Sequence, residues 1–466
     1  MNPIPGPLLL LVLPLGAAVI TYLIRRWSIL AALIASATTA ALAFLCLRLP
    51  LDRSAFVLEQ EVAFGRPVVI LGQTLQLEPA GQLWLAFIFL LATLFFLSAW
   101  PISQGRSFLP FGLVILALYA LVILLPIFSL AVLIFGISAA LTVFILQAGQ
   151  FGSIRGAQRY LLVSLLAVPL LLAAAWMVEP SSTGGVNPEM ARRALVPVAL
   201  GFGLLLAVFP FGTWMPVVAA EAPPIVTAFV FTAGQAMALF LALSFLGNNP
   251  WLLADPVTAT MLQLAGLVMC ISGGVMAGVQ RDFGRWFGYA ALSDLGVLLL
   301  ALGGAGSQAV ILGLLHLVAR SIPIALVALA LAIVRHRATT DRFQGLQGIA
   351  RKLPLATAGL TLGGLALAGF PLTAGFPAHW AVYRSLASEQ WLWTLLLLVS
   401  SAGIIVGLLR GLNAMLGADA RPEVARQPIV ASLLLLILAA LTVALGLYPQ
   451  LLLDLVQSAA QAFSLF

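Results

Sequence analysis

The sequence predicts an all-α polytopic membrane protein with about fourteen transmembrane helices, and three observations carry that prediction. Of 466 residues, 62% are hydrophobic and only 8% are charged, with a mean hydropathy of +1.14, whereas a soluble domain carries about 25% charged residues. Apolar runs recur along the whole chain at the length a bilayer core demands, about 20 residues per helix. The charges stand singly or in pairs between those runs. Lipid offers backbone groups no hydrogen-bond partner, so such runs read as helices rather than strands or loops. No soluble domain of any size is expected.

The runs fall at 6–24, 28–48, 80–99, 108–126, 128–148, 160–178, 194–214, 225–247, 257–279, 286–303, 308–334, 354–376, 390–411 and 428–449. The first lacks a small-residue cleavage site and is followed by Arg25-Arg26, which predicts a retained helix rather than a cleaved signal. Cytoplasmic loops collect basic residues. With both termini outside, fifteen fall inside: Arg25, Arg26, Arg106, Arg155, Arg159, Arg281, Arg285, Arg335, Arg337, Arg342, Arg351, Lys352, Arg410, Arg421 and Arg426. Six fall outside, namely Arg48, Arg53, Arg66, Arg192, Arg193 and Arg384, and Arg320 lies within a run. Dropping one helix would scramble this split, so it supports the even count.

The formal charge of +7 is too dispersed for a nucleic-acid surface, which needs a basic patch on one face. Cys46 and Cys270 both lie in apolar runs, against a disulfide framework or thiolate metal site. No phosphate loop or dinucleotide fingerprint is present. Between spans two and three, residues 51–79 contain VLEQEVAF, Gly65 and PVVILGQTLQLE, which predicts a β-hairpin on the outer face. The segment 335–353 is charge-dense and reads as a solvated connector on the inner face.

Two segments do not read as simple spans. FPFGTWMPVVAAEAPPIVTAF packs Pro210, Pro216, Pro223 and Pro224 between apolar stretches, and LAGFPLTAGFPAHWAVY places Gly369, Pro371, Gly375 and Pro377 within one. Proline removes a donor and bends the helix, and broken helices at matching places in two halves of a chain point to inverted repeats around a midplane path.

PFGTWMPVVAAEAPPIVTAF resembles the proline-rich signature of the antiporter-like membrane subunits of respiratory complex I, shared with multisubunit cation/proton antiporters and membrane-bound hydrogenases. AGVQRDFGRWFGYAALSDLG, LLHLVARSIPIAL, LAGFPLTAGFPAHWAVY and GAQRYLLVSLLAVPLLL are similar to further segments of that family, so the resemblance covers about residues 100–410 in order. The N-type, quinone-proximal subunit of an NADH-quinone oxidoreductase is the branch it most resembles. The resemblance implies two inverted five-helix repeats with flanking helices, which divides the chain into 1–107, a first repeat 108–247, a second repeat 248–411, and a C-terminal helix and tail 412–466. It also implies a place among the membrane subunits of a complex I-like assembly in a bacterial inner membrane. Protons would be conducted there along a buried polar axis, with quinone and redox centres in partner subunits. No cofactor, metal or catalytic residue of its own is expected in such a subunit.

The chain departs from the family where the family keeps its membrane charges. Phe135 or Gly136 stands at the fifth-helix Glu position, and Leu205, Gln235 and His379 stand at the seventh-, eighth- and twelfth-helix Lys positions. Gly212 replaces the signature histidine of the first broken helix, and no charged residue stands in the core of the first eight spans. What survives is Asp294, His316, Arg320 and His379. His316 and Arg320 are four apart and share a helix face, and a desolvated Arg needs a counter-ion, for which Asp294 is the one acid at that depth.

Two readings stay open at this point. In one, His316 and His379 form a remnant proton relay whose local potential the Arg320–Asp294 pair sets. In the other, the same residues tie spans ten to twelve together. Gln235 reads as a helix-packing hydrogen-bonder. Glu221 reads as a loop carboxylate or an entrance gate, and Trp214, Trp286 and Trp380 as interface anchors or packing aromatics. The expected function is that of an antiporter-like subunit of a redox-driven proton pump whose first half-path is largely lost. The alternatives are a non-conducting scaffold subunit, or a subunit of a cation/proton antiporter or carbon-uptake module.

Overall fold

The computed structural model describes the chain apart from residues 1–3, 53, 58–59, 103, 148–153, 179–187, 255, 305, 419–427 and 463–466. Arg53, Arg421 and Arg426 of the charge pattern lie outside the described residues, as do Leu58 and Glu59 of the expected hairpin. Helices follow one another as α1 (Gly6–Leu23), α2 (Ser28–Arg48), α3 (Pro79–Ser98), α4 (Phe108–Leu124), α5 (Phe128–Gln147), α6 (Arg155–Val178), α7 (Pro188–Leu205) and α8 (Trp214–Glu221). Then come α9 (Pro224–Phe229), α10 (Gln235–Asn248), α11 (Pro250–Ala254), α12 (Pro256–Val279), α13 (Phe283–Leu302) and α14 (Gly306–Ala338). The chain closes with α15 (Pro354–Leu367), α16 (Phe376–Glu389), α17 (Trp391–Leu416), α18 (Ile429–Leu447) and α19 (Gln450–Ala462).

Among the described residues, eleven helical stretches are long and apolar enough to cross a membrane, with α9 and α10 joined into one of them. The apolar α4, of 17 residues, makes a twelfth. The remaining two of the fourteen crossings are each built from two helices, α7 with α8 and α15 with α16, so breaks fall in the fourth crossing of 108–247 and of 248–411.

The breaks are not centred on every proline expected to make them. The first runs from Leu206 through the 3-10 turn Phe211–Thr213, with Ala207 at φ +57°, so Pro210 lies in it while Pro216 sits in the first turn of α8. Pro223 is the residue before α9 and Pro224 opens it. The second break spans 368–375, with Gly369 at φ +72° and Leu372 at φ +67°; Pro371 lies inside it, and Pro377 belongs to the first turn of α16. Proline at a helix start gives up an N–H that has no intrahelical partner there anyway. Pro216, Pro224 and Pro377 therefore begin helices rather than break them.

Two more expectations need correction. The 51–79 segment forms two short antiparallel hairpins, not one: β2 (Ala55–Val57) pairs with β3 (Gln60–Ala63), which also pairs in parallel with β1 (Ile4–Pro5), and β4 (Val68–Ile70) pairs with β5 (Gln73–Leu75). Each hairpin closes locally before the chain reaches Gly65 or Pro79. The 335–353 segment is not a solvated connector. Helix α14 runs on to Ala338, and Leu346, Ile349 and Leu353 are buried. Its charge masked a second, apolar pattern that packs down onto the helices.

Packing between crossings relies on small residues. A Cβ on Gly266 would sit 2.6 Å from the Gly296 carbonyl oxygen of α13, and one on Gly274 would fall on Ser400 of α17 at 2.2 Å. Close backbone approach supplies dispersion where lipid removes the hydrophobic drive for helix association. The crossing made by α9 and α10 is buried along its membrane window, while α6, α17 and α18 keep most of theirs exposed. The amphipathic α19 buries Val456 and Ala460. Cys46 and Cys270 are both buried free thiols.

Candidate functional site

Three helices and a break bring four ionisable side chains together. Asp294 is on α13, His316 and Arg320 are on α14 one turn apart, and His379 is in the first turn of α16 just after the second break. All four are at least 98% buried, and among the described residues they are the buried Asp, Arg and His side chains of the chain. Arg320 Nε donates to Asp294 Oδ2 at 2.5 Å. Its two terminal nitrogens donate to the carbonyls of Phe231 at 3.2 Å and Ala291 at 3.1 Å.

The Phe231 carbonyl is available because α9 and α10 are joined by a π-helical turn, Val230–Gly234, which interrupts the i to i−4 ladder and leaves carbonyls for other donors. A single guanidinium on α14 thus ties α13 to the turn between α9 and α10. The desolvation of such a pair is offset only when its geometry and remaining hydrogen bonds are good, and here three N–H directions of Arg320 are met.

His316 Nε2 lies 3.1 Å from both the Asp294 carbonyl oxygen and Asp294 Oδ1. The hydrogen-bond direction is satisfied toward the backbone carbonyl, and Oδ1 is held by proximity rather than by a bond. An Nε2–H donor leaves Nδ1 as a lone acceptor, and that atom is buried without a partner. His379 Nδ1 is 2.9 Å from the Gly375 carbonyl, so its Nε2 is the acceptor of that ring. The two rings meet edge to face at 5.3 Å, and Tyr383 follows His379 at 6.0 Å with its hydroxyl 2.7 Å from Ser401 Oγ. The cluster thus presents two imidazole nitrogens, His316 Nδ1 and His379 Nε2, as acceptors for an added proton.

Ligand atoms of Asp294, His316 and His379 lie within 4.8 Å of one another, close enough to consider a metal ion. Asp294 is already matched by Arg320, however, so a divalent cation would have to sit beside a guanidinium at low dielectric, where like charges repel strongly. The chemistry of the set suits a proton better.

The other expected positions separate into distinct surroundings. Phe135 is buried and stacks on Tyr119 at 6.4 Å, with Gly136 buried beside it, and Leu205 is buried at the end of α7. Phe128, Phe202 and Phe245 pack around one another at 4.7–6.4 Å. These three aromatic side chains close one end of the space between α5, α7 and α10. Gln235 is buried one turn beyond Phe231, and its Oε1 has no hydrogen-bond partner. Replacing it by Leu removes an unsatisfied carbonyl of similar size, which should raise unfolding stability by about 1 kcal/mol, read as an upward shift in melting temperature in detergent.

Glu221 closes α8 rather than lying in a loop, and its Oε2 accepts the Gly156 N–H at 2.8 Å. Trp214 and Trp286 are packing residues: Trp214 meets Tyr160 at 5.1 Å, and Trp286 Nε1 donates to the Ile404 carbonyl at 3.0 Å. Trp380 is 55% exposed. Sequence reasoning missed Tyr383, the carbonyls of Phe231 and Ala291, and the Arg335–Asp341 pair, in which Arg335 also donates to the carbonyls of Ala219, Ala220 and Ala222 at the end of α8. Spacing could have suggested Tyr383, which follows His379 by four residues. Backbone carbonyls leave no signal in a sequence.

Among the described residues, fourteen helical crossings, two of them broken, with a buried charged cluster beside one break, define a polytopic membrane protein with broken helices. A family profile described as "NADH:quinone oxidoreductase/Mrp antiporter, TM" matches residues 128–405, and the chain belongs to that family. It is 27% identical over 250 residues to the Hydrogenase-4 component F homolog of Methylacidiphilum infernorum, covering 53% of this chain and 50% of that one. It is 28% identical over 283 residues to NADH-quinone oxidoreductase subunit N of Desulforudis audaxviator, covering 57% and 56%. The chain thus spans about half the length of the curated relatives it matches. Among solved structures, it superposes on a chain of the Mrp complex from Dietzia sp. DQ12-45-1b with a TM-score of 0.82 at 18% identity, over 98% of this chain and 97% of the other. At that identity the likeness is one of fold.

Proposed function

We propose that this antiporter-like membrane subunit serves a complex I-like, redox-driven proton pump, and that it keeps a proton relay in its second repeat while the path through its first repeat is closed. The observation that carries the reading is the asymmetry of buried charge: Asp294, His316, Arg320 and His379 all lie on the second repeat. At the first-repeat positions stand Phe135 and Leu205, with Gln235 between the two sets. Ionisable groups in a bilayer are expensive and mark ion pathways, and an apolar, aromatic-filled interior does not hold the water wire that could replace them. In the second repeat an incoming proton would pass between the acceptor nitrogens of His379 and His316, with the Asp294 carboxylate stabilising the imidazolium.

Other membrane subunits are the partners this role requires, since relatives bear names of multisubunit oxidoreductases and the fold recurs in the Mrp complex. Quinone and redox centres would belong to those partners, and the membrane would be a bacterial inner membrane with both termini outside. The test is the assembled complex in vesicles loaded with a pH-sensitive dye. His316→Ala with His379→Ala should lower the number of protons moved per electron by this subunit's share, leaving electron transfer to quinone intact. An unchanged ratio would make the chain a scaffold. Ion uptake without any electron donor would point instead to a cation/proton antiporter.

A further inference from the structure

We infer that the arginine-rich end of the second repeat binds the phosphate head of an anionic phospholipid. A cavity of about 910 Å³ opens there, lined by Arg281 and Arg285 at the start of α13, Arg342 on the turn after α14, and Arg410 near the end of α17. Three carboxylates also line it, and each is already engaged. Asp341 accepts from Arg335 at 2.6 and 3.0 Å and from the Gly284 N–H at 3.0 Å. Asp282 caps α13 by accepting the Arg285 N–H at 2.8 Å, and partial burial raises its carboxyl above the ordinary value. Glu221 is held by the Gly156 N–H.

The four guanidiniums, by contrast, form no ion pair among the described residues; Arg410 alone uses a donor, on the Gly278 carbonyl at 2.6 Å. Planar forks of N–H donors match phosphate oxygens in pairs, so the cavity presents four guanidiniums against three carboxylates, of which Asp341 is already paired with Arg335.

What selects a lipid over a free anion is the surface next to the cavity. Val275, Met276 and Val279 of α12 lie two to six residues before Arg281, and Val406 and Leu409 of α17 lie within about one turn of Arg410, all 40–58% exposed. The two helices are packed directly together, since a Cβ on Gly403 would sit 2.4 Å from the Gly274 carbonyl oxygen. A phosphate in the cavity would therefore carry its acyl chains onto an apolar surface that a soluble phosphate or an acidic peptide would leave bare. Basic pockets of this kind at helix ends on the inner face suit anionic head groups. The inference requires only that this end meet a membrane surface, and it stands apart from the proton-relay reading.

The experiment is lipid titration of the delipidated complex in mild detergent, followed by native mass spectrometry. Phosphatidylglycerol should bind at least about tenfold more tightly than phosphatidylcholine of the same chains, and each arginine changed among Arg281→Gln, Arg285→Gln and Arg410→Gln should weaken it by about fivefold. Arg25→Gln with Arg26→Gln, at basic positions away from the cavity, should leave the affinity as in the parent. The single Arg285→Gln variant gives the same graded reading should the triple variant not assemble. Equal binding of the two lipids, or parent-like affinity in the triple variant, would overturn the assignment. So would displacement of the lipid by millimolar inorganic phosphate or by an acidic peptide.

Discussion

Arg320→Ala should destabilise the folded protein by about 3–5 kcal/mol, the range for removing one partner of a buried ion pair. Asp294 would be left without its counter-ion in an environment that excludes water. The carbonyls of Phe231 and Ala291 would lose their donor as well. The expected result is a steep loss of assembled protein in the membrane and a much lower melting temperature in detergent. Asp294→Leu combined with Arg320→Met should recover most of that stability, because an apolar pair of similar volume needs no desolvation to be offset. If the double variant melts like Arg320→Ala, the pair is not what holds α13, α14 and the π turn together.

The second large effect is expected at the α12–α17 contact. Gly274→Val places a branched side chain where even a Cβ would fall 2.2 Å from Ser400 Oγ and 2.3 Å from its carbonyl oxygen. Ser400 is itself committed, donating to the Cys270 carbonyl at 2.5 Å and lying 2.9 Å from Ser293 Oγ. Neither helix can yield without breaking that set, so a loss of about 3 kcal/mol is expected, at the upper end for overpacking. Gly16→Ala, where nothing lies within 4 Å, should stay within about 1 kcal/mol of the parent. A Gly274→Val variant that melts with the parent would mean the two helices separate freely.

Much of the architecture was legible because bilayer physics is coarse. A run such as 428–449 must become a helix whatever its neighbours do, and α18 occupies Ile429–Leu447. The charge partner of Arg320 was legible too, since one acid stood at the right depth and hydrophobic surroundings forbid a lone guanidinium. The first break was less so. Four prolines were candidates for it, yet the break holds only Pro210, beside Ala207, because proline marks both helix starts and helix breaks and the sequence does not say which. The 335–353 segment misled for a related reason: its charges suggested solvation, but Arg335 and Asp341 pair with each other and Arg335 also holds the carbonyls at the end of α8, while the apolar residues after them pack down.

By itself the sequence determined that the chain lives in a bilayer, roughly where it crosses, and which repeat keeps ionisable side chains, since each of these follows from the transfer cost of individual residues along the chain. The tertiary structure alone decided that His316 and His379 face each other at 5.3 Å, that a π turn in α9–α10 hands the Phe231 carbonyl to Arg320, and that Phe135 lies against Tyr119. These are contacts between different helices, the farthest of them 89 residues apart in the chain. They depend on how helices rotate and approach, which small residues and backbone carbonyls govern without leaving a hydrophobic pattern to read.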